Sequence, residues 1–469
     1  MKAASLLLIL PLLAACTVGP DYVRPSAPMT PFFKEGIGWK PADPRDAAAR
    51  GAWWQIYNDP DLDRLEARVV VDNQNVREAE ANWRAAVALI RVAQSAALPT
   101  LSLAPGASLA QGGTSSSANS GVRTTYSLEA SGSWDIDVWG RIRREVEASK
   151  AAAAVSAADL ASATLSAQVA LATAYFELRG SDAQIALLKR TVVAYQRSLT
   201  ITQNQYRAGT VGQADVAAAE TQLATAQTTE ISLGVARAQY EHAIAVLAGL
   251  PPADLTLPPG MLARDVPVVP AGVPSALLQR RPDIAAAERL MAEQNANIGV
   301  AVAAYYPDIT LSALFGYAGN PIGSLISTAN RVWSLGASAD ETLFEGGARS
   351  AEVAEARANY DAAVAAYRQS VLTAFQQVED ALSTLRIDQL QATASDAAVD
   401  AAQRTERITL NEYRAGTVAY TSVVVAQAAA LGDEETSVQI RQDRLVQSVA
   451  LISALGGGWD AVGAEAKTP

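Results

Sequence analysis

The sequence predicts a mainly α-helical protein with a membrane β-barrel portion, built from two duplicated halves. Ile201–Val211 reads ITQNQYRAGTV, and 207 residues later Ile408–Val418 reads ITLNEYRAGTV, so nine of eleven positions are identical. Each copy follows a long Pro-free stretch and precedes another. A period near 207 residues is far longer than the unit of a solenoid. The repeat therefore indicates a duplicated half-protein.

The first 16 residues have the pattern of a targeting segment. Lys2 precedes an apolar stretch, and the segment ends in Leu13-Ala14-Ala15-Cys16, which is typical of a lipobox. We therefore expect a signal peptide over residues 1–15 and a lipid on Cys16, the new N-terminus. Thr17 follows where an Asp would favour the inner membrane, so outer-membrane sorting in a Gram-negative cell is expected.

The repeat and its flanks divide the rest of the chain. We expect a lipidated N-terminal extended segment over 16–60, a first half over 61–260, a second half over 261–457 and a C-terminal tail over 458–469. After Cys16 no apolar run approaches the roughly 20 residues of a spanning helix. Further membrane contact is therefore expected from strands.

Two long helices are predicted, one in each half, over 141–206 and 348–413. Both stretches lack Pro and carry few charges. At 1.5 Å per residue each would be a rod of about 100 Å. Because a sparsely charged rod is poorly suited to solvent, other helices must cover it. Returning helices over 215–249 and 421–456 and shorter ones over 74–97 and 283–304 are the candidates.

The turns between rods and returning helices have recognisable caps. Gly209 and Gly416 suit a left-handed cap at the end of each rod. Asp215 is a plausible N-cap of the first returning helix.

Strands are predicted over about 98–139 and 307–344. Tyr126–Val138 alternates apolar with polar residues, as a membrane-spanning strand does. Four strands in a chain leave two open edges, which lipid does not tolerate. Strands in a membrane would therefore require oligomerisation.

Several function classes are disfavoured. The net charge of −11 argues against a nucleic-acid partner. One Cys and one His allow neither a Cys-based metal site nor a credible Cys–His or Ser–His–Asp arrangement. No GxxxxGK phosphate loop occurs. We expect no enzyme activity, no metal and no cofactor.

Taken together, the motifs resemble the outer-membrane efflux proteins, the exit ducts of tripartite pumps, and in particular their lipoprotein members. The resemblance runs from the lipobox to about residue 457. The motifs that carry it are Cys16-Thr-Val-Gly-Pro-Asp-Tyr-Val-Arg-Pro25, Trp53-Trp54, Asp59-Pro60, Trp139-Gly140-Arg141, Arg280-Arg-Pro-Asp283, Asn297-Ile-Gly-Val-Ala301 and Leu343-Phe-Glu-Gly-Gly347.

The resemblance implies a homotrimer with a 12-stranded β-barrel in the outer membrane and an α-helical coiled-coil tunnel in the periplasm. The partners it implies are a periplasmic adaptor (membrane fusion) protein, an inner-membrane RND-type transporter and outer-membrane lipid. The chain would passively conduct small molecules from the periplasm to the exterior.

The same resemblance places the two Tyr-Arg-Ala-Gly-Thr turns at the periplasmic tip, where the adaptor docks and the tunnel closes. Residues implied in adaptor contact or gating are Tyr206, Arg207, Gly209, Thr210, Tyr413, Arg414, Gly416 and Thr417. One departure is that Ser422 and Val425 stand where some members carry acids. Two alternatives for the closed constriction therefore remain: an apolar ring, or contacts made by Tyr413 and Arg414.

Other functions remain possible at this point. A duct for type I protein secretion would have the same fold, although the lipobox favours efflux. A surface-anchored coiled-coil stalk needs no alternating strands, and a cell-envelope hydrolase is the most distant alternative.

Overall fold

The computed structural model describes residues 17–26, 34, 52–111, 122–267 and 281–457. The predicted signal peptide, Cys16, most of the N-terminal extended segment and the C-terminal tail lie outside these residues. The helices are α1 (Pro60–Asp72), α2 (Gln74–Ser95), α3 (Arg141–Arg207), α4 (Gln213–Leu247), α5 (Pro282–Ala303), α6 (Ala348–Arg414) and α7 (Tyr420–Ala454). The strands are β1 (Thr100–Gln111), β2 (Val122–Asp135), β3 (Asp308–Gly319) and β4 (Arg331–Asp340).

The mainly helical fold with four strands is confirmed. Both rods, α3 and α6, are single helices of 67 residues, one residue longer than predicted. The returning helices α4 and α7 each begin one or two residues before the predicted start and end two residues before the predicted end. The added helix α1 starts at the Asp59-Pro60 motif, because Asp59 accepts hydrogen bonds from the N–H groups of Asp61 and Leu62.

The four strands form one antiparallel sheet in the order β1-β2-β3-β4, so the strands of the two halves meet at β2 and β3. The register gathers the alternating residues on two faces. On one face, a row of paired residues across the sheet consists of Leu103, Ala130, Phe315 and Trp333. A second row on the same face, two residues along each strand, consists of Leu101, Gly132, Ala313 and Leu335. A row on the opposite face is Thr100, Ser133, Ser312 and Gly336. β1 and β4 lie at the two edges.

The chain separates into two compact units that each take segments from both halves. The first lies within Met1–Ser26, Asn82–Ala157 and Ala286–Arg368 and holds the sheet. The second lies within Ala27–Ala81, Ala158–Ala285 and Gln369–Pro469 and holds both helix turns. The division by contacts therefore does not coincide with the division by repeat.

The largest core of the second unit forms around α1. Leu62, Leu65 and Val69 recur at helical spacing and pack in one buried cluster with Leu171 of α3 and Leu445 of α7. Burial of such a stripe is what holds a 13-residue helix, which would be marginal alone in water.

One helix departs from the expectation that no segment after Cys16 is apolar enough to cross a membrane. Arg141–Arg207 contains an 18-residue window of mean hydropathy 1.2, of which 22% is buried. Length and composition alone are weak evidence for a span. Ala, which is small, supplies much of this hydropathy in α3.

Candidate functional site

The first helix turn joins α3 to α4 by a Schellman motif. The Thr210 N–H donates to the Gln205 carbonyl at 3.0 Å, and the Gly209 N–H donates to the Tyr206 carbonyl at 2.9 Å. The Thr210 hydroxyl also donates to the Gln205 carbonyl, at 2.9 Å. Gly209 has φ +72°, which a residue without Cβ adopts without strain.

The second turn, between α6 and α7, repeats this geometry. The Thr417 N–H donates to the Glu412 carbonyl and the Gly416 N–H to the Tyr413 carbonyl, both at 3.0 Å. The Thr417 hydroxyl donates to the same Glu412 carbonyl at 2.9 Å, and Gly416 has φ +75°. The Gly and Thr of both turns thus have a clear structural role as caps.

The two turn arginines are exposed and lie at the C-terminal ends of their helices, where a cation is favoured by the helix dipole. Arg207 Nη2 donates to Asn204 Oδ1 at 2.6 Å. Arg414 Nη1 donates to Asn411 Oδ1 at 3.4 Å. Both guanidinium groups remain accessible on the surface of their turn.

The two turn tyrosines, in contrast, have opposite environments. Tyr206 is 45% exposed, whereas Tyr413 is 3% exposed. The Tyr413 hydroxyl donates to Thr202 Oγ1 on α3 at 3.2 Å. The Tyr413 ring packs on Tyr420 with centroids 5.2 Å apart. Burial raises the pKa of Tyr413; the Thr202 hydrogen bond offsets part of this rise, and the nearby Asp215 charge adds a smaller increase.

Tyr413 belongs to a buried cluster that joins the two helix hairpins. Two further hydrogen bonds cross from α3 to α7: Gln427 Nε2 donates to Ser198 Oγ at 3.2 Å, and the Tyr195 hydroxyl donates to the Gln427 carbonyl at 3.4 Å. The apolar members are Tyr195, Leu199, Ala219, Leu223, Ala226, Tyr413, Tyr420 and Val423. We call these residues with Ser198, Thr202 and Gln427 the tip seam.

Asp215 is not an N-cap as predicted, since α4 begins at Gln213 and Gly212 occupies the cap position. Asp215 lies in the first turn, and its Oδ2 accepts from the Gly212 N–H at 3.3 Å. The carboxylate still serves the helix start, but from inside the first turn.

The two positions that depart from the acidic pattern lie on the outside of the second hairpin. Ser422 is exposed, and Val425 is 69% exposed. Neither side chain belongs to the tip seam, which uses Val423 and Gln427 from the same helix. At these two positions, therefore, α7 carries one polar side chain, Ser422, and one apolar side chain, Val425, and no charge.

Sequence reasoning identified Tyr413 but missed the partners that bury it. Tyr420 lies seven residues after Tyr413, and Ser198 and Thr202 lie four apart on the buried side of α3. That helical spacing of polar residues was a usable signal. Nothing in the sequence indicated that the residues would meet across two hairpins separated by more than 200 positions.

The family model for "Outer membrane efflux protein" matches residues 67–250 and 273–457, so each half matches it. Among curated proteins, the chain is 30% identical over 453 residues to a probable efflux pump outer membrane protein, TtgC, of Pseudomonas putida, covering 96% of this chain and 94% of that protein. The antibiotic efflux pump outer membrane protein ArpC of Pseudomonas putida matches equally.

Solved structures agree with these matches. The outer-membrane channel OprN has a TM-score of 0.85 at 29% identity, covering 95% of this chain and all of that one. The outer membrane protein VceC of Vibrio cholerae has a TM-score of 0.80 at 26% identity, covering 87% of this chain and 99% of that one.

Proposed function

This chain belongs to the outer membrane efflux protein family, and we propose that it works as a lipid-anchored homotrimer whose tip seam closes the periplasmic end of the channel. Its function is that of the outer-membrane exit duct of an efflux pump. Type I protein secretion, the alternative left open by the sequence, has no support among these relatives.

The observation that carries the duct function is the sheet. Four antiparallel strands place large apolar side chains such as Leu103, Phe315 and Trp333 on one exposed face and hydroxyl side chains on the other. A lipid-facing surface opposite a water-filled lumen requires this alternation. The edges formed by β1 and β4 must be paired in a membrane, which supports closure by further copies. Three copies give twelve strands.

The working complex in this proposal includes a periplasmic adaptor and an inner-membrane RND-type transporter, which supplies the energy. No reaction is assigned to the chain. The relatives include an antibiotic efflux pump outer membrane protein and a toluene efflux pump outer membrane protein, both of Pseudomonas putida. These relatives favour small organic molecules as cargo, with selection made by the transporter.

At the tip, the two turns have different roles. The exposed Tyr206 and Arg207 of the first turn and the exposed Arg414 of the second are available to an adaptor. The buried Tyr413 is not, and its bond to Thr202 instead holds the second hairpin on the first. Val425 supplies an apolar surface for a closed aperture without an acidic ring.

Single-channel conductance in planar bilayers, with mass determination in mild detergent, tests the duct. We expect a trimer with a small, mostly closed conductance that rises when the tip seam is weakened. A monomer with no conductance in any variant would overturn the pore and leave an anchored stalk as the better account.

The anchor has its own test. Cys16→Ala should abolish incorporation of labelled fatty acid while trimers still insert in the outer membrane. Unchanged labelling would contradict lipidation at Cys16.

Gly416→Pro should weaken adaptor coupling and spare the barrel, because Pro cannot adopt the positive φ of this turn. Efflux unchanged in that variant would contradict the tip assignment.

A further inference from the structure

Residues 17–26 contain no helix or strand, but they are hydrogen-bonded to the first unit. The Val18 N–H donates to the Trp139 carbonyl at 3.0 Å. Asn295 of α5 donates from Nδ2 to the Pro20 carbonyl at 2.9 Å. The Tyr22 hydroxyl donates to Glu288 Oε1 at 2.8 Å. We call residues 17–26 the strap.

One buried cation holds the strap near its start. The side chain of Arg144, on α3, is 4% exposed. Its Nε donates to the Val18 carbonyl at 3.2 Å, and its Nη2 donates to Asp21 Oδ1 at 2.9 Å. Its Nη1 donates to Glu147 Oε2 at 2.8 Å, within α3. A planar guanidinium suits this role because its donors point in several fixed directions.

A glycine in α5 makes this arrangement possible. A Cβ added at Gly299 would lie 2.8 to 2.9 Å from three atoms of the Arg144 side chain. On the strap side, a Cβ added at Gly19 would lie 2.4 Å from the Gly299 Cα. The helix, the strap and Arg144 therefore meet at a point that admits no extra methyl group.

The strap starts where the sheet passes into the long helix. Thr17 packs against Gly140, which lies between the end of β2 and the start of α3. Next to it, the rings of Trp139 and Tyr306 stack with centroids 4.7 Å apart. Paired aromatic side chains at the end of a membrane strand are typical of the membrane–water interface.

We propose that the strap is a docked positioning element, locked by Arg144 in the space left by Gly299, that holds the mature N-terminus at the strand–helix junction. A lipid on the residue bonded to Thr17 then enters the membrane beside the sheet of its own chain, and not at the end of a free tether. The lipid part of this inference rests on the proposed modification of Cys16.

Limited chymotrypsin digestion of the full-length lipoprotein under single-hit conditions tests the strap, followed by mass spectrometry of the peptide ending at Tyr22. The wild-type Tyr22–Val23 bond should resist cleavage, because cleavage requires local release of the strap. Gly299→Ala and Arg144→Gln should each accelerate its cleavage by about tenfold or more. Arg144→Gln keeps most of the side-chain volume and removes the charge.

Gly234→Ala is the matched control for Gly299→Ala. Gly234 also lies inside a helix, but a Cβ there would meet no atom within 4 Å in the part of the chain that the structure describes. Ala is the better helix former at both positions, so a general effect on helices would protect both variants alike. Only the strap contact predicts that Gly299→Ala cleaves faster while Gly234→Ala cleaves at the wild-type rate.

The outcomes separate the two proposals. The docking of the strap would be overturned if Gly299→Ala and Arg144→Gln were both cleaved at the rate of the wild type. It would also be overturned if the wild-type protein itself were cleaved as fast as an unfolded peptide. A freed peptide without lipid would overturn the modification of Cys16 and with it the lipid part of this inference, while the docking of the strap would stand.

Discussion

The two halves of the chain share their repeat but use it differently. Tyr206 and Tyr413 occupy equivalent positions, 207 residues apart, in turns with the same hydrogen bonds. The first is exposed and the second is buried against Thr202 and Tyr420. The local sequence therefore determines the geometry of the turn. The packing of the neighbouring hairpin determines whether the tyrosine of that turn is exposed or buried.

A second set of equivalent residues differs in charge. In the first half, Asp182 lies between Arg179 at 3.2 Å and Arg237 at 2.7 Å. It also accepts from the Gly260 N–H at 2.9 Å, which attaches the segment after α4 to α3.

In the second half the position of Asp182 is taken by Gln389. Gln389 accepts a hydrogen bond from Arg444, the equivalent of Arg237. Arg444 Nε is buried and has no hydrogen-bond partner among the residues that the structure describes. At this position, therefore, a buried carboxylate bridges two arginines in the first half, whereas a neutral amide contacts one arginine in the second half.

Asp182→Asn should produce the largest loss of stability, because it leaves two guanidinium groups without their shared buried carboxylate. We expect the free energy of unfolding to fall by about 3 kcal/mol, measured by guanidinium titration of helical circular dichroism in detergent. Gln389→Asn, which shortens the side chain at the equivalent position, should cost about 1 kcal/mol or less, because the hydrogen bond it loses from the Arg444 guanidinium is exposed to solvent. Equal losses in the two halves would contradict the asymmetry.

Glu66 contrasts with Asp182, because it is a buried acid with no hydrogen-bond partner among the residues that the structure describes. It is fully buried on α1, and neither carboxylate oxygen has a hydrogen-bond partner in the described part of the chain. Burial raises the pKa of Glu66 from 4.5 to about 9. The folded protein therefore holds a proton that the unfolded chain releases above its ordinary pKa.

Stability should accordingly fall as the pH rises between those two pKa values. Glu66→Gln removes this dependence and should raise the free energy of unfolding by about 3 kcal/mol at pH 7. The difference from the wild type should disappear below pH 4. Guanidinium titrations at pH 4 and pH 7 measure it, and a pH-independent difference would show that the wild-type carboxyl is not neutral in the fold.

Tyr413→Phe tests the tip seam against the first turn. Loss of the hydroxyl that donates to Thr202 should cost about 1 to 1.5 kcal/mol and raise the open probability in planar bilayers. Tyr206→Phe should leave both quantities unchanged, because no seam contact involves that side chain. Equal channel opening in the two variants would remove the distinction between the turns.

The smallest effect should also be the most symmetric. Gly209→Ala and Gly416→Ala each force a Cβ into the left-handed region, at a cost of about 1 kcal/mol. A Cβ at either position would meet no atom of the described residues within 4 Å, so the expected cost comes from backbone strain. The thermal unfolding midpoints of the two variants should shift by the same amount. Unequal shifts would show that tertiary contacts constrain one turn more than the other.

Patterns with a short range were readable in advance. The rods follow from Pro-free, Ala-rich stretches, and their ends follow from Gly209 and Gly416, because helix capping depends on a few adjacent residues. The strands follow from alternation, because side chains of a strand alternate between two faces. The helix bounds differed from those predicted by only a few residues.

What the sequence by itself determined is thus the set of elements, the duplication, the two turns and the amphipathic strands. Only the tertiary structure decided that Tyr413 is buried while Tyr206 is exposed, that Arg144 holds residues 17–26, and that Glu66 is a buried acid with no hydrogen-bond partner in the described part of the chain. Each of these depends on contact between segments distant in sequence. Burial and pairing are properties of such contacts, and no local spacing encodes which surface will cover a side chain.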